Sequence, residues 1–215
     1  MPYFEITQAE KDCLKNKDET MKTLIENIQP PKEPQMKAPF LTLVDQIVGQ
    51  QISEHVKNVL MKRMKESLGA ITKDTIKQTS IKDLHALGLS RMKAETIKRL
   101  SATDLDFDAL KDEDEETIKK TLIKIKGIGP WTIDMFLFVG LGHRDIFSLK
   151  DKGIENALLA LYPVEKKALN QFKRYFSPCS SAAQAYLWQY LKEAKETQAK
   201  IKKECLNHEH PFVST

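Results

Sequence analysis

The stretch "KIKGIGPWTIDMF", Lys124 to Phe136, sets two glycines and a proline between two apolar patterns of helical period. Glycine admits positive φ and puts no side chain in a ligand's way, and proline suits the first position of a helix. The stretch therefore predicts helix, hairpin, helix, with Gly127 and Gly129 taking positive φ in the turn and Pro130 opening the second helix. Unpaired amides at that helix start make an anion site by geometry and by dipole, and a phosphate diester is the obvious anion for a turn without side chains. A tight hairpin packed against its neighbours accounts for the same two glycines equally well.

Helical patterns continue on both sides of the hairpin. Met21, Leu24, Ile25 and Ile28 share one face that stops at Pro30 and Pro31, after which a proline-rich connection runs to Pro39. Phe40, Leu43, Val44, Ile47 and Val48 form the next stripe, ended by Gly49. Ser53 N-caps a helix carrying Val56, Val59, Leu60 and Met64, with Lys57, Lys62, Arg63 and Lys65 facing outward. Ser80 caps Ile81, Leu84 and Leu87, and Ser90 caps Ala94, Ile97 and Leu100. The acidic run from Asp112 to Glu116 is a first helical turn, where acids suit the dipole, and not a metal site. A last long helix spans Ser181 to Lys203 with Ala182, Ala185, Tyr186, Trp188 and Leu191, and a tail with His208 and His210 follows. Period-two alternation never persists, so the expected fold class is all-α.

Composition excludes more than it selects. The 215 residues hold 34 Lys and Arg against 30 Asp and Glu, a net charge of +4 that permits an anionic partner without announcing one. Cys13, Cys179 and Cys205 form neither a C-x-x-C pair nor the close series that holds an iron–sulfur cluster, so reduced thiols in an intracellular protein are expected. The N-terminus lacks a basic region followed by an apolar core, and no apolar run reaches membrane-spanning length. The expectation is a soluble chain, cytoplasmic or nuclear, with no membrane partner.

"LIKIKGIGPWTIDMFL" (Leu122 to Leu137) resembles the helix-hairpin-helix of DNA repair glycosylases. Four further stretches place the resemblance more closely: "PFLTLVDQIVGQQIS" (Pro39 to Ser53), "LGLSRMKAETIKRL" (Leu87 to Leu100), "DIFSLKDKGIENAL" (Asp145 to Leu158) and "FSPCSSAAQAYLW" (Phe176 to Trp188). In that order they are similar to the alkylation-repair branch of the helix-hairpin-helix (HhH-GPD) superfamily, which includes bacterial inducible and fungal 3-methyladenine DNA glycosylases. The resemblance implies a two-lobed helical fold with the active site in the cleft between lobes. It divides the chain into an N-terminal helix and connection over 1–38 that pack on the C-terminal lobe, a helical lobe over 39–124, the hairpin with the C-terminal lobe over 125–203, and a tail over 204–215.

The resemblance also implies roles for single residues. Asp151 stands about two dozen residues after the hairpin, where the family carries its catalytic aspartate, and it precedes the helical pattern Ile154, Leu158, Leu161. A residue there caps the helix, and backbone N–H groups with the helix dipole favour its negative charge. Most aspartates in such positions are caps and nothing more; the spacing from the hairpin, not the residue type, carries the functional reading. Lys150 departs from many relatives and is expected to face phosphate or solvent, since adjacent extended residues point opposite ways. Trp131 occupies the position of the lysine nucleophile in relatives that cut the strand, which implies a monofunctional enzyme leaving an abasic site.

Trp131, Trp188 and Met135 are implied to line the pocket for the extruded base, where ring faces attract cationic alkylated purines. Met135 replaces an aromatic common in relatives, and an ordinary core residue beside Leu187 and Leu191 is the lesser reading of Trp188. Gln51, with Gln50 beside it, is implied as the wedge that fills the gap in the duplex; a plain helix terminus after Gly49 is the other reading. Lys126, Gly127 and Gly129 would bind DNA phosphate, and the carbonyls of Ile123, Ile125 and Ile128 would hold a structural Na+ or K+ ion. No cofactor is required and no iron–sulfur cluster is implied. The activity that follows is monofunctional excision of 3-methyladenine, 7-methylguanine and 1,N6-ethenoadenine from damaged double-stranded DNA, by a monomer, in base excision repair. Excision of deaminated or oxidised bases on the same fold, or a non-catalytic DNA-binding module in which Asp151 is only a cap, are the alternatives.

Overall fold

Single residues mark the helix starts in this chain. Thr7, Asp18, Ser53, Thr72, Ser80, Ser90, Asp114 and Asp151 each accept a first-turn backbone N–H through the side chain, meeting donors that a helix cannot satisfy internally. The computed structural model describes residues 5–29, 38–193 and 195–207. Most of the proline-rich connection, from Pro30 to Lys37, and the tail with His208 and His210 lie outside them.

Thirteen α-helices and no strand occur among the described residues. They are α1 (Gln8–Lys15), α2 (Glu19–Asn27), α3 (Pro39–Gly49), α4 (Glu54–Leu68), α5 (Lys73–Gln78), α6 (Ile81–Ala86) and α7 (Arg91–Ser101). Then come α8 (Glu115–Leu122), α9 (Pro130–Met135), α10 (Lys152–Leu161), α11 (Gln171–Phe176), α12 (Ser180–Lys192) and α13 (Lys195–Leu206). A π-helical segment, Phe136–Gly140, continues α9. No helix among the described residues is long and apolar enough to cross a membrane.

The chain divides into two compact units, Met36–Leu141 and Met1–Gln35 with Gly142–Thr215. In Met36–Leu141, α3 is central and packs against α4, α7, α9 and the π-helical segment. Leu43, Val44, Ile47 and Val48 are fully buried there, as apolar residues three and four apart must be when a helix is enclosed. Asp45, 5% exposed, is neutralised by Lys57 of α4 at 3.2 Å. Lys57 is thus drawn inward from the basic face expected of it. The stripe expected on α4 is also narrower than its sequence suggests: Leu60 and Met64 are buried, whereas Val56 and Val59 are exposed. The hairpin belongs to this unit and not with the C-terminal segment as the boundary at 124 had it. Contacts from α7 and from the turn after α3, described below, hold it there.

In the other unit α12 is the hub, packed against α1, α2, α10 and α11, while α13 lies against α2 and α10. The single helix expected from Ser181 to Lys203 is two, because Glu193 turns extended after Lys192. Gln198 bridges the break by donating to the carbonyls of Leu191 and Glu193 at 3.2 and 2.8 Å. N-terminal α2 is tied in by its own cap. Asp18 accepts Met21 N–H at 2.7 Å, the Tyr175 hydroxyl at 2.9 Å and the Tyr162 hydroxyl at 3.2 Å. Burial, and next the Asp18 charge, raise the Tyr162 hydroxyl well above the ordinary phenol range, so it remains a donor at neutral pH. Asp18→Ala strips an acceptor from both phenols, and urea unfolding is expected to show a loss of about 3 kcal/mol. Asp18→Asn keeps an acceptor and a cap and should lose less.

Candidate functional site

The hairpin begins where α8 ends. Ile128 is buried and anchors the turn, its N–H donating to Ile125 O at 3.0 Å, while Lys126 and Gly127 are exposed. The two glycines turn out to be there for different reasons. Gly127 has φ of 101°, and a Cβ on it would sit 2.0 Å from the Thr96 hydroxyl of α7. Both its backbone and its packing demand glycine. Gly129 has φ of −109° and ψ of 175°, extended backbone open to any residue, which corrects the expectation of positive φ at both positions. A Cβ on Gly129 would meet nothing within 4 Å. Neither conformation nor internal packing requires glycine there. Pro130 takes the first position of α9, as its fixed φ suits.

The turn after α3 is fastened to this hairpin. Gln50 donates through Nε2 to Gly127 O at 3.2 Å and to the Thr132 hydroxyl at 2.9 Å. Gln50, named with Gln51 as a wedge, is therefore an anchor. Gln51 is exposed and holds φ of 56°, a left-handed conformation that costs a non-glycine residue about 1 kcal/mol or more. Lys93 of α7 closes the same corner by donating to Val48 O at 2.7 Å. Partial burial depresses the Lys93 ammonium from its usual range. Trp131, at the second position of α9, is half-buried, whereas Met135 one turn on is 2% exposed and belongs to the core of this unit.

Asp151 and Trp188 belong to the other unit. The segment from His143 to Ser148 has no strand beside it and side chains from α12 stand in for one, before a turn in which Asp151 N–H donates to Ser148 O at 3.1 Å. Ser181 accepts Ile146 N–H at 3.0 Å and donates to His143 O at 2.7 Å; Gln184 accepts Ser148 N–H at 2.7 Å. Ser180 and Ser177 donate to the two carboxylate oxygens of Asp145 at 2.5 and 2.6 Å. Asp151 then caps α10, its Oδ1 accepting Ile154 N–H at 3.1 Å. Lys150 is exposed.

Gly153 locates the meeting point. A Cβ there would lie 3.0 Å from Asp151 Oδ1, 3.2 Å from Leu191 Cδ1 and 3.9 Å from Trp188 Cδ1. The carboxylate and Leu191 crowd this bare position and the indole of the half-buried Trp188 lies at ordinary contact distance from it. Ser181, Gln184 and Asp145 were missed by the sequence reading. Their signal was the spacing Ser181, Gln184, Trp188, Leu191, a single stripe of α12 whose first two members are polar. Among the described residues no group of three or more His, Cys, Asp or Glu could hold a metal ion.

Strandless helical units, a hairpin with one bare backbone position and a carboxylate cap beside a tryptophan define a class of helix-hairpin-helix proteins. The chain belongs to the HhH-GPD superfamily of base excision DNA repair proteins, whose family model matches residues 44–180. It is 28% identical to DNA-3-methyladenine glycosylase 1 of Schizosaccharomyces pombe over 90% of this chain and 91% of that protein. It is 34% identical to the putative DNA-3-methyladenine glycosylase YfjP of Bacillus subtilis, over 54% of this chain but only 43% of the relative's length. A solved DNA-3-methyladenine glycosidase from Bacillus halodurans superposes with a TM-score of 0.75 at 27% identity, covering 97% of this chain and all of that one.

The two hairpin glycines can be separated by experiment. Gly127→Ala should lower the melting temperature by several degrees, since strain and the Thr96 clash together cost about 2 kcal/mol or more. Gly129→Ala should leave it within about a degree, as a substitution into open space does; differential scanning calorimetry of the two variants distinguishes them.

Proposed function

We propose that the protein is a monofunctional DNA glycosylase that extrudes alkylated purines from duplex DNA and excises them in base excision repair. Its substrates are 3-methyladenine and 7-methylguanine, with 1,N6-ethenoadenine as a further one. The observation that carries the reading is the bare Gly153, which has both the Asp151 carboxylate and the Trp188 ring within 4 Å of the place a Cβ would take. A cap alone has no use for an indole beside it. A glycosylase needs an anion at the sugar and an aromatic face at the base.

Cleavage of the glycosidic bond builds positive charge on the sugar as the base departs with the bonding electrons. A carboxylate held beforehand stabilises that charge without reorganising during the reaction. Asp151 takes this role, its Oδ1 held in place by the N–H of Ile154 at the start of α10. Trp188 stacks on the extruded base. N3- or N7-alkylated purines are cationic, and ring faces attract cations by about 0.5 to 2 kcal/mol, which favours damaged over normal bases. Gly129 admits a phosphate to the backbone, Lys126 adds a neighbouring cation, and Gln51 fills the vacated stack. The exposed Lys150 suits a phosphate near the site.

The hairpin fits a monovalent cation. Carbonyls at the end of α8 lack helical partners, and the Ile125 carbonyl, which accepts Ile128 N–H, has a second lone pair. Ile123, Ile125 and Ile128 would hold Na+ or K+ there, supplying positive charge to the bound phosphate. Trp131 carries no amine, so no Schiff base forms at that position and the product keeps an intact strand with an abasic site.

The test is release of free bases from methylated duplex DNA, with strand breaks scored before and after alkali. Wild type should release 3-methyladenine and 7-methylguanine and give breaks only after alkali. Asp151→Asn keeps the cap, asparagine being as good an N-cap, and should lower release about a hundredfold or more without loss of stability. Undiminished release by that variant would leave Asp151 a cap only.

A further inference from the structure

Cys13 in α1 and Cys179 at the N-cap of α12 stand far apart in the chain and face each other in the fold, the Cys179 S–H donating to the Cys13 sulfur. Both are free thiols. Two ties bracket the pair. On one side Lys17, a turn after Cys13, donates to Ser177 O at 3.0 Å. On the other Glu10, a turn before Cys13, pairs with Arg144 at 3.3 Å, and Arg144 O accepts Ser181 N–H at 3.1 Å. Glu10, Cys13 and Lys17 follow at helical spacing and so share a face. That face lies along Ser177 to Ser181, with a cysteine in the middle of each run. Both runs are fixed from behind. Glu10 accepts Thr7 N–H at 2.8 Å through its other oxygen, and Ser177 and Ser180 both bind Asp145. Neither run slides along the other without breaking these bonds.

We propose that Cys13 and Cys179 are a dithiol that closes to a reversible disulfide, fastening α1 to the start of α12. The inference goes beyond the glycosylase reading and does not rest on it. The oxidant is a small disulfide such as glutathione disulfide. Cys13 is partly exposed whereas Cys179 is 6% exposed, so exchange starts at Cys13. The Cys13 thiol gives up its proton and attacks one sulfur of the small disulfide, whose S–S bond breaks and releases a thiolate. Cys179 then loses its proton and attacks the Cys13 sulfur of the mixed disulfide, releasing the second thiolate; each departing thiolate takes up one proton. Two protein thiols have lost two electrons, and the small disulfide has gained them. Burial, and next the hydrogen bond with Cys13, push the Cys179 thiol up to about 12, which leaves it the resolving partner and not the first nucleophile. A disulfide needs its sulfurs about 2 Å apart, and thiols already in contact reach that through side-chain torsions. The bond secures N-terminal α1 to the helix that carries Ser181, Gln184 and Trp188. Cys205, facing Thr20 and Asp18 at the start of α2, serves as an internal control.

Wild type, Cys13→Ala and Cys205→Ala would be equilibrated in glutathione buffers of rising disulfide-to-thiol ratio, quenched with acid and alkylated. Peptide mapping without reductant should find a linked pair holding Cys13 and Cys179 in wild type and in Cys205→Ala, and none in Cys13→Ala. Thermal unfolding followed by circular dichroism should show the melting temperature of the two linked proteins raised by about 5 °C or more, because the bond closes a long loop of the unfolded chain. Dithiothreitol should reverse both changes, and Cys13→Ala should show neither. The wild-type peptide map decides the pairing by itself, so the reading stays testable if a variant folds poorly. A glutathione adduct on Cys13 as the final product, a link through Cys205, or a Cys13–Cys179 link that leaves the melting temperature unchanged overturns the proposal. Since no base release is measured, these outcomes are independent of whether the protein is a glycosylase.

Discussion

Peptide groups buried in an all-helical protein need partners that a sheet would otherwise supply, and between His143 and Ser148 the first turns of α12 supply them. Ser181 and Gln184 bind the N–H groups of Ile146 and Ser148, and Ser181 also binds the His143 carbonyl. Each of these groups, left alone in the interior, would cost about 1–3 kcal/mol. The same stripe of α12 carries Trp188 and Leu191 one and two turns further on. Folding the segment onto Ser181 and Gln184 therefore places Asp151 and Trp188 on the same side of Gly153.

The remaining steric condition is met by an absence. Any side chain at position 153 would press on the Asp151 carboxylate and on Leu191. The capping carboxylate keeps its room because Gly153 follows at the second position of α10. Helix propensity argues against glycine there by about 1 kcal/mol. Local stability yields to the arrangement of the site.

At the hairpin the division of labour runs the other way. Gly127 is consumed by folding, through its φ and its contact with Thr96, and Gln50 is consumed in holding the turn. What folding leaves over is Gly129 and Gln51: a bare backbone position and a strained exposed glutamine. Residues that folding does not explain, gathered at one corner, are what a binding surface consists of.

Much of this was legible in the sequence, and the boundary of legibility follows interaction range. Caps such as Ser53, Ser90 and Asp114, the apolar period of α3 and the helix, hairpin, helix pattern depend on residues within one or two turns, so they can be read from the chain directly. The all-helical class and the position of Asp151 after the hairpin came from such signals. The exposure of Val56 and Val59, the burial of Met135, the inward turn of Lys57 and the membership of the hairpin in the Met36–Leu141 unit did not. Each depends on which element arrives opposite, and periodicity names a face without naming its partner. Likewise two glycines in one motif are identical as letters, and only Thr96 arriving from α7 makes one of them structural. Two adjacent glutamines are separated into anchor and free tip by a carbonyl 77 residues away. The sequence by itself determined where helices start, stop and turn, because short-range hydrogen bonds and hydrophobic period decide those. Tertiary structure alone decided which residues folding uses and which it leaves for function, because that depends on contacts between segments far apart in the chain.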